Sequence, residues 1–455
     1  MFKKRLLVQN DRRSLFLCLL FGLNCIFFVT LRGNSNNGMK KALYTSIIAI
    51  LALTTSCRSS FTQVERNDYE RSDSALVHYL KSEGIPYTSN NSVEILNGAH
   101  AKFEAMFNDI KKAKHHIHLE YFNFRNDSIN KVLVDLLEQK AKEGVEIRAM
   151  FDSFGNSSND RPLKKKDMKA MREKGIEIVK VAPLKFPWVD YFASRDHRKI
   201  VVIDGQVGYI GGINVADYYL NGIEGVGEWR DMHSRVEGEA VNELQKIFLD
   251  MWYAETKERI EGEVYYPQHD EKGSADIAVV DRWPGRTPSR MRDVYANAIH
   301  AAKDSIILIN PYFVPMPGVR KALENALDEG VKVTLVLSEK GDIPMIPDGV
   351  WRTSYQLMKR GAEVYMYTEG FNHSKVMCVD GLYCTIGSAN LNSRSLIYDY
   401  ESNIFIFGKE DTEELYNCID LDRQKSYRVT KEIYKKRCWW NRFCGWLVTL
   451  ITPLV

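Results

Sequence analysis

The sequence lacks the features that mark several common functional classes. Its eight cysteines show neither metal-site spacing nor the pattern of a small disulfide-rich domain, and Cys378 and Cys384 are expected to be core hydrophobic residues. Its formal net charge is only +3 over 455 residues, so no global electric field attracts nucleic acid. His115, His116 and His118 lie on a predicted strand without matching acids or cysteines and are expected to be structural. These absences predict a protein without a metal ion, another cofactor or a nucleic-acid partner.

One stretch of the chain is present twice. HRKIVVIDGQVGYIGGIN spans 197–214, and its counterpart HSKVMCVDGLYCTIGSAN spans 373–390. Each copy has a histidine, a lysine two residues later and an aspartate five residues after that, and each ends in an asparagine. Alternate residues of a strand share one face, and Asp-Gly is a strong turn signal between two strands. Each copy is therefore predicted to be a β-hairpin that presents an imidazole and an ammonium group side by side.

The duplicated stretch belongs to a longer internal repeat. Upstream of the two stretches, AKHHIHLEYFNF (113–124) matches AKDSIILINPYF (302–313). Apolar-periodic helical segments alternate with strands rich in valine and isoleucine, which is typical of a sheet covered by helices. The repeat predicts an α/β protein of two similar halves, 93–262 and 263–437, each a mixed β-sheet flanked by helices. A pseudo-two-fold axis is expected to relate the halves.

The two HxKxxxxD motifs, with their matching extensions, resemble the double signature of the phospholipase D superfamily. The flanking segments WRDMHSRVEGEAV (229–241), NPYFVP (310–315) and GSANLNSRS (387–395) are similar to those of bacterial cardiolipin synthases. The resemblance covers residues 95–455, and it implies cleavage of a phosphodiester through a phosphohistidine intermediate. Asn392 is a departure, because the family usually has aspartate there.

The resemblance also implies a role for each motif residue. His197 is the expected nucleophile, and His373 is the expected general acid and base. Lys199 and Lys375 are expected to hold the phosphoryl oxygens as compact positive charges. Amide and hydroxyl groups are expected to add further contacts to the substrate: Asn214, Asn390 and Ser388.

Four acidic residues complete the predicted site. The resemblance implies, from the spacing the family uses, that Glu401 orients His373, and Asp231 is the analogous candidate for His197; a carboxylate in this place fixes the tautomer of an imidazole. Asp204 and Asp380 belong to the catalytic signature, although their Asp-Gly context favours a structural role in the hairpin turns.

Two apolar segments precede the repeat, within residues 1–57. Residues 14–31 are a marginal membrane span behind basic residues. Met39 begins a second segment that resembles a bacterial lipoprotein signal, with Cys57 as the lipidated residue. In one reading Met39 is the true start and Cys57 anchors the mature chain; in the other both segments form a membrane hairpin. Either reading predicts anchoring at the bacterial cell membrane, with the polar residues 58–92 as a tether.

Two further segments are rich in aromatic residues. Residues 438–455 combine tryptophan and phenylalanine with arginine, which is typical of a membrane-interface segment, and the alternative is a helix packed on the body. In the first half, an extra loop before the first motif contains Phe186, Trp188 and Tyr191. That loop is expected to lie over the site, either packed on the protein or in contact with acyl chains.

The combined observations predict a membrane-associated cardiolipin synthase, which joins two phosphatidylglycerol molecules and releases glycerol. Phosphatidylglycerol and other anionic phospholipids are the expected partners. A phospholipase D hydrolase is the nearest alternative, since water can replace the acceptor alcohol and the motifs do not set the acceptor. The balanced charge argues against a nuclease of the same superfamily. The intact histidine, lysine and asparagine of both copies argue against an inert membrane-binding protein.

Overall fold

The computed structural model describes residues 72–183 and 194–450. The elements of the first half are, in chain order, α1 (Ser72–Ser82), β1 (Tyr87–Leu96), α2 (Ala99–Lys112), β2 (His116–Tyr121), α3 (Ser128–Lys142), β3 (Glu146–Asp152), α4 (Ser153–Ser157), α5 (Lys165–Glu173), β4 (Ile176–Val181), β5 (Lys199–Ile203), β6 (Val207–Gly211), α6 (Tyr218–Asn221), β7 (Glu228–Arg230), β8 (His233–Glu237), α7 (Ala240–Thr256) and a 3-10 turn (Glu263–Tyr265).

The second half repeats this succession and adds elements at its end. Its elements are β9 (Ala275–Arg282), α8 (Arg290–Ala301), β10 (Ser305–Ile309), α9 (Pro317–Asp328), β11 (Lys332–Ser338), α10 (Ile346–Met358), β12 (Glu363–Tyr367), β13 (Gly370–Asn372), β14 (Val376–Val379), β15 (Tyr383–Gly387), a π-helical turn (Arg394–Tyr398), β16 (Glu401–Phe407), α11 (Lys409–Gln424), β17 (Ser426–Arg428), α12 (Lys431–Lys436) and α13 (Trp439–Leu450).

Fifteen of the seventeen described strands form one continuous mixed sheet that runs through both halves, and β7 and β13 pair separately as a two-stranded sheet. The order of the large sheet is β17-β12-β11-β10-β14-β15-β16-β9-β1-β8-β6-β5-β2-β3-β4. Each half has a parallel set, β2-β3-β4 or β10-β11-β12, followed by antiparallel strands. The halves meet where β1 pairs with β9 in antiparallel fashion, and the strand order is symmetric about that pair. The predicted α/β fold of two similar halves with a pseudo-two-fold relation is therefore confirmed.

The valine and isoleucine runs form strands because both faces of the sheet are covered. Every residue of β5 and of β14 is buried. Helices cover the sheet through apolar residues spaced three and four apart, such as Phe103, Met106 and Ile110 of α2. Strands buried on both faces need continuous apolar runs, and this need explains why alternation of polar and apolar residues is weak here.

The motif aspartates Asp204 and Asp380 lie in the hairpin turns. Both have a φ of 54°, which a turn of this type requires. The Asp204 carboxylate accepts hydrogen bonds at 2.7–2.9 Å from three consecutive backbone N–H groups at the start of β2. Asp380 makes the same three bonds, at 2.7–2.9 Å, with the segment that leads into β10. Each carboxylate thus ties its hairpin to the neighbouring strand.

The two cysteines of the second hairpin form a disulfide, which corrects the expectation that they are merely core hydrophobic residues. Cys378 and Cys384 lie directly opposite each other on β14 and β15, with Cα atoms 4.1 Å apart. Both are almost fully buried. The antiparallel register alone brings the two side chains together, and a separation of six residues gives little warning of it.

The predicted tether 58–92 is wrong for the residues that the structure describes. Helix α1 buries Leu76 and Leu80 in the core of the second half, and β1 begins at Tyr87. The segment belongs to the fold because β1 completes the junction between the halves. The predicted boundary at residue 93 thus falls inside β1.

Several predicted features lie outside the described residues. These are the amino-terminal segments with Cys57, the aromatic loop residues Phe186, Trp188 and Tyr191, and residues 451–455. Within 72–183 and 194–450, no helix combines the length and the apolar character needed to cross a bilayer.

Candidate active site

The two motif histidines lie at corresponding points of the two halves. His197 lies two residues before the start of β5 at Lys199, and His373 lies between β13 and β14. The exposed fraction of the side chain is 13% for His197 and 7% for His373. Both imidazoles are therefore held inside the protein while keeping a small accessible edge.

Each histidine takes its carboxylate partner from the other half. His197 Nδ1 lies 3.0 Å and 3.2 Å from the two carboxylate oxygens of Glu401. His373 Nδ1 lies 2.7 Å from Oδ2 of Asp231. This corrects the predicted pairing, in which Glu401 orients His373 and Asp231 orients His197. The acids are the predicted ones, but they are exchanged between the halves.

Backbone pairing across the junction explains the exchange. The N–H group of His197 donates to Tyr400 O at 3.0 Å, and the N–H group of Tyr400 donates to Arg195 O at 2.8 Å. In the same way β13 pairs in parallel with β7, and the N–H group of His373 donates to Arg230 O at 2.6 Å. Each histidine segment is therefore aligned with the chain that carries the opposite acid.

The lysines lie close to the histidines of their own motifs. The ammonium groups of Lys199 and Lys375 donate to the carbonyl oxygens of His197 and His373, respectively. Lys375 Nζ is also 3.7 Å from a carboxylate oxygen of Asp231. Both lysines are buried, so their donors are fixed before any substrate arrives.

Burial lowers the pKa of every basic group in this cluster. The pKa of Lys199 falls to about 7 and that of Lys375 to about 8, because burial disfavours their charged forms and Glu401 and Asp231 only partly offset it. The charge of one half also shifts the pKa of groups in the other half, since Lys375 lowers the pKa of Lys199. The two motifs therefore form one electrostatic unit.

The histidines are neutral in the resting site. Burial lowers the pKa of His197 to about 4, and Lys199 adds to the effect while Glu401 opposes it. Burial and then Lys375 lower the pKa of His373 to about 3. Although burial acts to raise the pKa of Glu401, His197 and Lys199 bring it below its ordinary value, so this acid stays ionised. A neutral imidazole with Nδ1 bound to a carboxylate keeps Nε2 as its reactive atom.

The predicted amide and hydroxyl groups are used mainly within the protein. Asn214 accepts from the Asn123 N–H group at 3.2 Å and donates to the Tyr219 hydroxyl at 3.0 Å. Ser388 donates to Glu401, so it fixes the acid that holds His197. Asn390 is also buried, and its Oδ1 has no hydrogen-bond partner within the described chain.

Aromatic side chains that the sequence did not single out surround His373. The ring centroids of Trp229, Phe371 and Tyr312 lie 5.6, 5.7 and 5.9 Å from that of His373, and Tyr219 is at 6.3 Å. Trp229 lies in the segment WRDMH, Tyr312 in NPYF, and Phe371 two residues before His373, and this nearness in sequence to site residues was the available signal. Tyr219 carries no such signal. The aromatic cluster limits the access of water to one side of the site.

The three histidines of the first repeat lie away from this arrangement. His118 stacks on Phe248 with ring centroids 4.4 Å apart, and its Nδ1 is 3.1 Å from Gln245 Oε1. His115 and His116 are in contact through their Nδ1 atoms at 2.9 Å. Among the residues that the structure describes, no group of three or more His, Cys, Asp or Glu side chains is arranged to hold a metal ion.

The chain is similar to proteins that use two such motifs. A family model described as "Cardiolipin synthase, PLD-like domain" matches residues 106–252 and 295–421, one match for each motif. A cardiolipin synthase of Oceanobacillus iheyensis is 34% identical over 415 residues, which cover 89% of this chain and 85% of that protein. A cardiolipin synthase of Listeria monocytogenes is 34% identical over 379 residues, or 83% of this chain and 78% of that protein.

A solved structure supports the fold. The phosphatidylserine synthase of Haemophilus influenzae aligns with a TM-score of 0.64 at 14% identity, over 84% of this chain and 99% of that chain. The family match spans both halves, and the relatives are aligned along most of their length. This chain therefore belongs to the cardiolipin synthase family of the phospholipase D superfamily.

Proposed function

We propose that this chain transfers a phosphatidyl group from one phosphatidylglycerol molecule to a second, giving cardiolipin and glycerol. The observation that carries the proposal is the crossed arrangement of two neutral histidines, each bound to a carboxylate, with two buried lysines. This arrangement supplies a nucleophile, a proton donor and fixed positive charge for a phosphodiester.

Binding of the substrate prepares the acid. Because His373 has a pKa of about 3 in the free protein, it must gain a proton when the anionic phosphodiester enters. The negative phosphoryl group raises the pKa of both lysines and of His373, so Lys199 and Lys375 become fully charged against it. Burial thus keeps the positive charge on Lys199, Lys375 and His373 low until the phosphodiester is present.

The transfer proceeds in two balanced steps. Nε2 of His197 attacks phosphorus, the phosphorus–oxygen bond to the glycerol headgroup breaks, and His373 gives its proton to the departing oxygen. In the second step a hydroxyl of another phosphatidylglycerol loses its proton to His373 and attacks phosphorus, and the phosphorus–nitrogen bond breaks. The greater exposure of His197, 13% against 7%, favours it as the nucleophile.

The aromatic cluster around His373 favours an alcohol over water as the acceptor. Trp229, Phe371, Tyr312 and Tyr219 line the side on which the proton is exchanged. A poorly hydrated wall disfavours hydrolysis of the intermediate. A phospholipase D hydrolase remains the second candidate, since it uses the same phosphohistidine.

The experiment mixes the full chain with phosphatidylglycerol vesicles and identifies the products by mass spectrometry. Cardiolipin with one glycerol released per cardiolipin is expected, and it should vanish in His197→Ala and His373→Ala. A phosphohistidine trapped in His373→Ala and absent in His197→Ala supports the assignment of the nucleophile. Phosphatidic acid without cardiolipin makes the protein a hydrolase, and activity in both variants rejects the mechanism.

The protein is further proposed to work at the bacterial cell membrane, with its amino-terminal segments as the anchor. The proposal rests on its phospholipid substrates and on the apolar sequence before residue 58. Mass spectrometry of the mature amino terminus distinguishes the two kinds of anchor. A diacylated Cys57 supports the lipoprotein, whereas an intact Met1 supports the membrane hairpin.

A further inference from the structure

Helix α13 displays a row of large aromatic side chains to solvent. Trp439, Trp440, Phe443 and Trp446 are 66%, 54%, 42% and 42% exposed. Consecutive rings of the row contact one another, with centroids 5.6–5.7 Å apart. The spacing of three residues places Trp440, Phe443 and Trp446 along one side of the helix. A contiguous exposed apolar patch of this kind marks an interaction surface.

The row is presented by a helix that is firmly docked on the protein. The side of α13 that faces α10 buries Cys444, Gly445 and Val448. A Cβ atom at Gly445 would lie 2.4 Å from the backbone oxygen of Asp348, so only glycine permits this approach. Arg437 adds an ion pair of 2.5 Å with the Asp348 carboxylate. The aromatic row is therefore held in a fixed direction.

The loop before α10 connects this surface to the site. Residues 341–345 precede the first turn of α10, and Ile343 and Met345 are 47% and 40% exposed. The Tyr312 hydroxyl donates to the carboxylate of Asp342 at 2.8 Å and 2.9 Å. The Tyr312 ring in turn lies 5.9 Å from that of His373. The hydrogen bond between Tyr312 and Asp342 thus links this loop to the aromatic cluster around His373.

Positive charge accompanies the aromatic row. Lys435, Lys436 and Arg442 are exposed on α12 and α13, and the sequence of α13 contains no acidic residue. Tryptophan beside lysine and arginine is the composition that binds the interface of an anionic bilayer. A second protein surface with the same composition would be repelled by the shared positive charge.

We propose that α13 and loop 341–345 form a docking surface for an anionic phospholipid bilayer, and that docking sets the His373 side of the site against the lipid. The proposal rests on the phospholipid substrate proposed above. It names a contact distinct from the amino-terminal anchor, because the anchor can hold the chain at a membrane without fixing the orientation of the site.

The first test measures the contact without turnover, because every protein that is compared also carries His197→Ala. The full chain is placed in phosphatidylglycerol vesicles with brominated acyl chains, which quench nearby tryptophans. Replacement of Trp439, Trp440 and Trp446 by phenylalanine should remove most of the quenching, and the control Trp252→Phe, at a residue that is 1% exposed, should retain it. Equal quenching in the triple variant and in its parent chain overturns the proposal. The row is then covered by something else, either a second copy of the chain or its amino-terminal segment.

The second test separates docking from chemistry. W440S/F443S/W446S, and separately I343S/M345S, should slow turnover on vesicles about tenfold because the lost surface weakens interfacial binding. Turnover of dispersed short-chain phosphatidylglycerol should be unchanged. Equal losses on both substrates, or no loss on vesicles, contradict the proposal. If cardiolipin is not the product, the quenching test remains valid, because it measures contact with the bilayer and not the product.

Discussion

At the scale of single residues, the site depends on pairs of side chains that belong to different halves. His197 with Glu401 and His373 with Asp231 are the two units, and Ser388 supports the first by donating to Glu401. A carboxylate that holds Nδ1 stabilises the imidazolium that forms during proton transfer and fixes the reactive tautomer. A neutral amide in its place does neither.

Because each acid holds a histidine of the other half, loss of the acid should give the same kinetic defect as loss of the histidine it holds. Glu401→Gln should impair formation of the phosphohistidine, as loss of His197 does, and Asp231→Asn should impair proton transfer, as loss of His373 does. Each change should lower kcat by about 10²–10⁴-fold, by analogy with other carboxylate–histidine pairs. Single-turnover measurement of the covalent intermediate checks both. The reverse assignment of defects contradicts the crossed arrangement.

The lowered pKa values of the lysines predict a limit to activity at alkaline pH. As pH rises through about 7 and 8, Lys199 and Lys375 of the free protein lose the protons that attract the phosphodiester. We expect kcat/KM to fall above this range, by about tenfold for each pH unit for each lysine. The kcat profile should fall at higher pH, because bound phosphate raises both pKa values. An alkaline limit of kcat/KM near the ordinary lysine pKa contradicts this.

At the scale of elements, the two hairpins are the units that carry the motifs. The aspartates at their turns act on the backbone of the neighbouring strand, away from the histidines, and the second hairpin is closed by a disulfide. Both features govern how firmly the histidine and lysine of a motif are held.

Asp204→Ala should lower stability more than it changes chemistry. It removes the acceptor of three backbone N–H groups at the start of β2, and the expected loss is about 1–3 kcal/mol of unfolding free energy. Urea unfolding measures it, with Asp250→Ala as a control at an exposed carboxylate. The pH profile of the folded variant should match the wild type. A displaced pH profile gives Asp204 a chemical role instead.

The disulfide predicts sensitivity of the second hairpin to reduction. C378A/C384A should lower the unfolding free energy by about 2 kcal/mol, since the bond closes a short loop in the unfolded chain. Reductant should destabilise the wild type by a similar amount and leave the variant unaffected. Cys438→Ser, at an exposed free cysteine, is the control. Alkylation of both cysteines in the non-reduced native chain rejects the disulfide.

At the scale of the whole molecule, the active site exists only when the halves are joined. β1 and β9 bring the two sheets into one, and each half contributes one histidine and the acid of the other. Separately expressed fragments 1–262 and 263–455 should each be inactive, and their co-expression should restore the synthesis of cardiolipin in vesicles. Activity of either fragment alone contradicts this dependence.

The sequence by itself determined the repeat, the α/β class, the histidines and lysines, and the identity of both orienting acids. The repeat and the α/β class follow from local periodicity, and the site residues follow from the duplicated motifs and from their resemblance to the phospholipase D superfamily. The tertiary structure decided which acid serves which histidine, because backbone pairing between the halves aligns segments whose acid and histidine are 204 and 142 residues apart. It also decided the pairing of Cys378 with Cys384 by strand register, the folding of residues 72–92 into the junction, and the aromatic wall around His373. The cysteine pairing depends on the register of one hairpin. Contacts between segments distant in the chain set the other features, and the sequence pattern alone does not specify them.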